Sequence, residues 1–118
     1  MSKKNIIKDK GYSFALRIVK LYSFLQKKQE FVLSKQIIRS GTSIGANVEE
    51  ASAAQSKKDF ISKMSIASKE ARESNYWLRL LRDSKLVSKE RIQPLIDESN
   101  EILRLLTSIV KTSEENSK

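Results

Sequence analysis

An all-α fold built from a few long helices is predicted by three features of this sequence. Turn-forming residues are scarce: 118 residues include one proline and three glycines, so breaks in regular structure should be few. Apolar residues recur at steps of three and four through most of the chain, which is the period of a helix. The interruptions between these periodic stretches are short, as expected where successive helices pack side by side. A chain of this length fits one domain with one core.

Residues 1 to 10, MSKKNIIKDK, read as a basic arm whose only apolar content is Ile6 and Ile7, and the arm is expected to fray. The first helix should run from about Tyr12 to Lys28, with Phe14, Ile18, Leu21 and Leu25 as its core seam. Ala15, Leu16, Val19, Tyr22 and Phe24 widen its apolar surface well past half of the circumference at about 100° per residue. That breadth fits a contact with another subunit, or a helix lying deep between two others.

The pattern breaks between Gln29 and Leu33, and Ser34 is the expected N-cap of the second helix, which should end near Gln55. Ile37, Gly41, Ile44, Val48 and Ala51 form its buried seam. Gly41 and Gly45 together cost about 2 kcal/mol of helix propensity relative to alanine. Their presence implies an adjoining backbone that approaches closely, and Ala46, Ala51, Ala53 and Ala54 extend the slim surface. A second line carries Arg39, Ser43, Asn47 and Glu50. It is either a hydrogen-bonded network against another helix or subunit, or a solvated face.

Ser56 followed three residues later by Asp59 reads as a capping box for the third helix. The short connection makes the second and third helices antiparallel neighbours. The third helix, from Lys57 to about Asp83, would be roughly 40 Å long, with its seam at Phe60, Met64, Ala67, Ala71, Ser74, Leu78 and Leu81. Another face carries Lys58, Ser62, Ser65, Lys69, Arg72, Tyr76 and Arg79. Cations spaced around an aromatic ring suit phosphates and a stacked base, although a solvated face has the same spacing. A third edge holds Glu70, Glu73 and Trp77. One of these carboxylates is expected to pair with Arg39 across a half-buried contact, and Trp77 to anchor a core or an interface.

Ser88 is a candidate cap for the fourth helix, whose stripe runs from Ile92 through Leu95, Ile96, Ser99, Ile102, Leu103, Leu106 and Ile109 to Val110, ending near Thr112. Pro94 lies too far inside for a first-turn proline, so a kink or a later start is expected there. Residues 113 to 118 should fray.

Absent residue types narrow the chemistry. With no cysteine and no histidine, disulfides, ordinary zinc sites and histidine-dependent catalysis are excluded. Glu70 and Glu73 are a possible acid/base pair, but no nucleophile, metal ligand or phosphate loop accompanies them. A non-enzymatic protein without a cofactor is therefore expected. The sequence shows neither a membrane-length apolar run nor a secretory signal, which points to the cytoplasm. The net charge of +9 is uneven. Residues 1 to 48 hold ten basic and two acidic side chains, while residues 95 to 118 hold three basic and five acidic. Such asymmetry suits attraction to a polyanion, or head-to-tail attraction between copies.

Three segments, SFALRIVKLY at Ser13 to Tyr22, RSGTSIGAN within QIIRSGTSIGANVEEA at Gln36 to Ala51, and SKKDFISKMSIASKEARESNYWL at Ser56 to Leu78, resemble in themselves and in their order the family named for intervening sequences of 23S ribosomal RNA. The similarity spans nearly everything from Ser13 to Leu81, and the fourth helix carries little of it. The resemblance implies an antiparallel up-down-up-down four-helix bundle that assembles into a ring, a pentamer in known relatives. Similar proteins are encoded inside rRNA insertions. A relative is the accessory variability protein of diversity-generating retroelements, which binds nucleic acid and a reverse transcriptase. Arg39, Ser43, Asn47, Glu50, Lys69, Glu70 and Trp77 match the family pattern as an architectural signature, with no enzymatic role implied.

The expected function is thus a non-enzymatic accessory protein that binds RNA or DNA as a basic homo-oligomer. The expected contacts are Lys20, Lys27, Lys28 and Lys35 of the basic first half, with Lys58, Lys69, Arg72, Tyr76 and Arg79 of the third helix. Arg39, Ser43, Asn47, Glu50, Glu70 and Glu73 are the expected polar network, and Gly41 and Gly45 the sites of close packing. The alternative is an oligomeric scaffold for a protein partner such as a reverse transcriptase, with its charge serving solubility and steering.

Overall fold

A computed structural model describes residues 2–116. Four helices, α1 (Lys3–Lys27), α2 (Leu33–Ser52), α3 (Lys57–Asp83) and α4 (Lys89–Glu115), account for almost all of them, with no strand among the described residues. α2 packs against α1 and α3, α3 against α4, and α4 closes back onto α1 less tightly. α1 and α3 occupy opposite corners with no close backbone approach, as do α2 and α4. The result is a rod of 48 × 22 × 20 Å, and no described helix is long and apolar enough to cross a membrane.

The first helix begins nine residues earlier than expected, at Lys3 instead of Tyr12. Residues 3–10 are therefore helical turns and not a loose arm; Met1 lies outside the described residues. The Ser2 side chain caps the helix by accepting from the Asn5 N–H at 3.3 Å. Ile7 is fully buried, and the seam reads Ile7, Gly11, Phe14, Ile18, Leu21, Leu25 in unbroken steps of four and three. A glycine in the second place hides this periodicity, because it scores as neither apolar nor polar.

α2 starts one residue before Ser34 and is capped differently from the sequence expectation. The Glu30 carboxylate accepts from the backbone N–H groups of Leu33 at 2.7 Å and Ser34 at 3.2 Å, satisfying two otherwise unpaired donors of the first turn. Ser34 is instead buried, and its hydroxyl accepts from the Gln26 amide at 2.9 Å. α2 ends at Ser52, three residues short of Gln55. Ser56 caps α3 by accepting from the Asp59 N–H at 3.0 Å. Ser88 is the N-cap residue of α4 without a side-chain cap hydrogen bond, and the helix runs through Pro94 from Lys89, so its start is not delayed. α4 also passes the expected end at Thr112 and reaches Glu115; Ser117 and Lys118 of the expected frayed tail lie outside the described residues.

The apolar seams of all four helices meet in one core, from which Phe60 alone among the expected α3 positions stands partly out. Close packing between α1 and α2 explains the glycines. A Cβ on Gly45 would lie 3.1 Å from the carbonyl oxygen of Gly11, and one on Gly41 would lie 2.8 Å from two carbons of Ile18. Gly11 was not singled out in the sequence, yet it faces Gly45 backbone to backbone, with its own Cβ position 3.2 Å from the Gly45 Cα.

Gly41→Ala should lower the unfolding free energy by about 1 to 2 kcal/mol, because crowding of the buried Ile18 outweighs the gain in helix propensity. Urea denaturation checks this, and a variant at least as stable as the parent would contradict the close approach.

Candidate nucleic-acid interface

The core seam of α3 determines which of its residues face water. With Met64, Ala67, Ala71, Ser74, Leu78 and Leu81 turned inward, Lys58, Ser62, Ser65, Lys69, Arg72, Tyr76 and Arg79 fall on an exposed face. At 1.5 Å per residue the line is roughly 32 Å long. Lys58, Lys69 and Arg72 have no carboxylate within ion-pair distance among the described residues. The guanidinium of Arg79 is oriented by its Nε, which donates to the Asn75 amide oxygen at 2.8 Å, and lies 5.8 Å from the centre of the Tyr76 ring. Tyr76 in turn meets Trp77 edge-on at 5.1 Å.

The next cation along the chain is spent locally. Arg82 pairs with Asp83 at 2.7 Å, and this hydrogen bond holds the guanidinium above its ordinary pKa and the Asp83 carboxyl below its own. Arg79 is therefore the last cation of the α3 line without a carboxylate within ion-pair distance among the described residues. A shallow groove between α3 and α4 is lined by Ser65, Lys69 and Arg72 together with Lys111, Glu114 and Glu115. The α3 pattern could not indicate Lys111, which comes from another helix.

The remaining expected contacts do not join this line. Lys20 is exposed on α1, at the opposite corner of the bundle from α3. Lys27, Lys28 and Lys35 surround the α1–α2 turn. The Lys28 ammonium and the Arg91 guanidinium lie 5.2 and 3.9 Å from the centre of the Phe24 ring, so Lys28 is partly engaged with its own chain.

The expected polar network divides in two. Arg39 reaches across from α2 to α3, where its Nη1 donates to Glu70 Oε2 at 3.2 Å and its Nη2 donates to Glu73 Oε2. The indole N–H of Trp77 donates to the same Glu73 oxygen at 3.1 Å. Glu70 is 14% exposed and Arg39 50%, so the cluster sits at the rim of the α2–α3 seam. Just beneath it the buried Ser74 and Ser40 hydroxyls are 2.9 Å apart. Ser43, Asn47 and Glu50 lie outside this cluster. Asn47 donates to the Ser43 carbonyl within α2 at 2.9 Å, and Glu50 is exposed. With both carboxylates facing one guanidinium, the pair is arranged as a clasp between helices. No group of three or more metal-ligating side chains gathers among the described residues.

Arg39→Met should cost about 1 kcal/mol in chemical denaturation, between the value of an exposed ion pair and that of a buried one. An unchanged midpoint would show that the clasp adds nothing.

Comparison with known proteins agrees with this architecture. The family model described as 23S rRNA-intervening sequence protein matches residues 3–108. A crystal structure of a protein of unknown function from the S23 ribosomal protein family of Bacteroides thetaiotaomicron is similar at 53% identity, covering 93% of this chain and 99% of that one, with a TM-score of 0.90. No curated protein matches. Because the family match takes in all of α1, α2 and α3 and most of α4, this chain belongs to the 23S rRNA-intervening sequence protein family.

Proposed function

We propose that this chain is a non-enzymatic accessory protein of the cytoplasm that binds RNA or DNA through its α3 face as a homo-oligomer. The observation carrying this reading is the exposed line of Lys58, Lys69 and Arg72 without carboxylate partners, continued by Tyr76 and Arg79. Cations that face water unpaired keep their counterions until a polyanion displaces them, and release of those ions drives binding without base-specific contacts. The family description refers to 23S rRNA, which favours RNA.

The bundle behind this surface is of the antiparallel up-down-up-down kind. Contacts between α1 and α4 descend in register, from Lys3 with Ser108 to Lys10 with Glu101 and Arg17 with Glu98. Those between α1 and α2 do the same, Gly11 meeting Gly45 and Ile18 meeting Gly41. Oligomerisation is supported by unpartnered apolar side chains. Tyr12, Leu16 and Val19, at steps of four and three on α1, are 64%, 50% and 46% exposed. Ile66 and Leu80 form a second exposed pair on α3, at the opposite corner. Two different patches on opposite corners suit a head-to-tail contact, which closes into a ring when the rotation allows; a pentamer is the expected size. A ring multiplies the α3 lines and so adds avidity.

The same apolar sets favour a second reading, a scaffold that grips a protein such as a reverse transcriptase. Recovery of one protein after nuclease treatment, by the parent and by the triple variant Lys69→Glu/Arg72→Glu/Arg79→Glu alike, would favour the scaffold.

Fluorescence anisotropy at low salt should show binding to RNA that weakens linearly in log affinity against log salt. The triple variant should lose at least about tenfold in affinity, with a salt slope shallower by about 2 to 3. No association at low salt would remove the nucleic-acid reading. Light scattering should give a multiple of 13.5 kDa, falling to a single chain in Leu16→Glu/Val19→Glu. A parent already at single-chain mass would remove the oligomer.

A further inference from the structure

One end of the bundle is left open. All four helices and the α2–α3 turn line a hollow of about 640 Å³ there, within the range of small-molecule sites. The cause is local: the chain places Ala51, Ser52 and Ala54 at this end, and none reaches far enough to plug it. The floor is apolar, with Val48, Ala51, Met64 and the side of Phe60. The rim carries Lys4, Lys8 and Lys57, and no carboxylate is among the lining residues. Lys8 is partly neutralised by Glu49 at 3.6 Å, whereas Lys57 has no ion-pair partner among the described residues.

The Phe60 ring is the distinctive feature. It is only partly buried, and the ammonium of the exposed Lys4 lies 4.5 Å from its centre. The ring packs against the core from its edge and lines the hollow, with the Lys4 ammonium over its face. An aromatic ligand can take that face, and the displaced ammonium is then free to meet an anion attached to the ligand. The occupant this surface fits is flat and apolar with a phosphate at its edge. Position narrows it further, because Lys57 precedes Lys58, the first cation of the α3 line, and the α3–α4 groove of Lys69, Arg72 and Lys111 lies next along the same two helices.

Resting on the nucleic-acid reading above, we propose that this hollow receives a terminal nucleobase of a single strand, stacked on Phe60 with its phosphate held by Lys4 and Lys57, while the rest of the strand follows the α3 line. Stacking on an aromatic ring needs an unpaired base, so the site distinguishes single strands from duplexes without reading sequence.

The test uses the full chain and a short single-stranded RNA carrying 2-aminopurine at either its 5′ or its 3′ end, with the matching duplex as control. One end-labelled strand should be quenched on binding. Phe60→Leu, which keeps an apolar side chain against the core, should abolish that quenching and weaken single-strand affinity about tenfold while leaving the duplex unchanged. Lys57→Glu, at an exposed position, should weaken the single strand too. If the α3 triple reversal abolishes binding but Phe60→Leu changes neither quenching nor affinity, the end site is wrong and the nucleic-acid reading stands. If no strand binds at low salt, both fall.

Discussion

The close approach of α1 to α2 is the constraint on which the rest of the bundle depends. Gly11 and Gly45 bring two backbones together with no side chain between them, and Gly41 receives Ile18 one turn away. Two helical glycines in α2 cost helix propensity, so the arrangement persists because the tight contact returns dispersion and burial over the whole α1–α2 seam. With α1 and α2 drawn together, Phe14, Ile18, Ile37 and Ile44 fill one side of the core, and α3 and α4 close the other. The face of α3 that meets water follows from that closure.

Polar groups inside the core align the helices. Ser40 meets Ser74 between α2 and α3, Asn75 reaches Ser99 between α3 and α4, and Gln26 reaches Ser34 across the first turn. No buried side-chain polar atom among the described residues lacks a hydrogen-bond partner. A hydroxyl pair in an apolar interior tolerates little sliding, since a shifted register would leave its members unsatisfied. The Arg39 clasp adds a second registration mark between α2 and α3 at the rim.

Charge is distributed by the same geometry. The acidic final helix lies against the basic first one, where Glu98 takes Arg17 and Glu101 takes Lys10. Two cations of the basic first half are thereby paired within one chain, between α1 and α4. On α3 the acidic residues Glu70 and Glu73 are turned toward Arg39, and Lys58, Lys69 and Arg72 have no carboxylate within ion-pair distance among the described residues. Cations without a close carboxylate set the local sign of the field at this face.

Periodicity was enough for the number of helices and the seams of α2, α3 and α4, and local residue types for the Ser56 cap and the slimness of α2, because each depends on residues within a few turns of one another. It also placed the α3 cations on one face, since a helix converts sequence spacing directly into direction. It missed the first two turns of α1, where Gly11 interrupts the apolar pattern, and the cap of α2, which Glu30 supplies from three residues upstream of Leu33, just after Gln29 with φ of 60°. Contacts between helices stayed out of reach for a plain reason: rotation and axial offset of one helix against another are absent from any single stretch of sequence. Only the packed structure decided that Arg39 holds both Glu70 and Glu73, that Ser43, Asn47 and Glu50 stand apart, and that Lys20 faces away from α3. The pairing of Gly11 with Gly45 and the hollow framed by Phe60 and Lys4 likewise arise where chain-distant residues meet, so tertiary structure alone creates them.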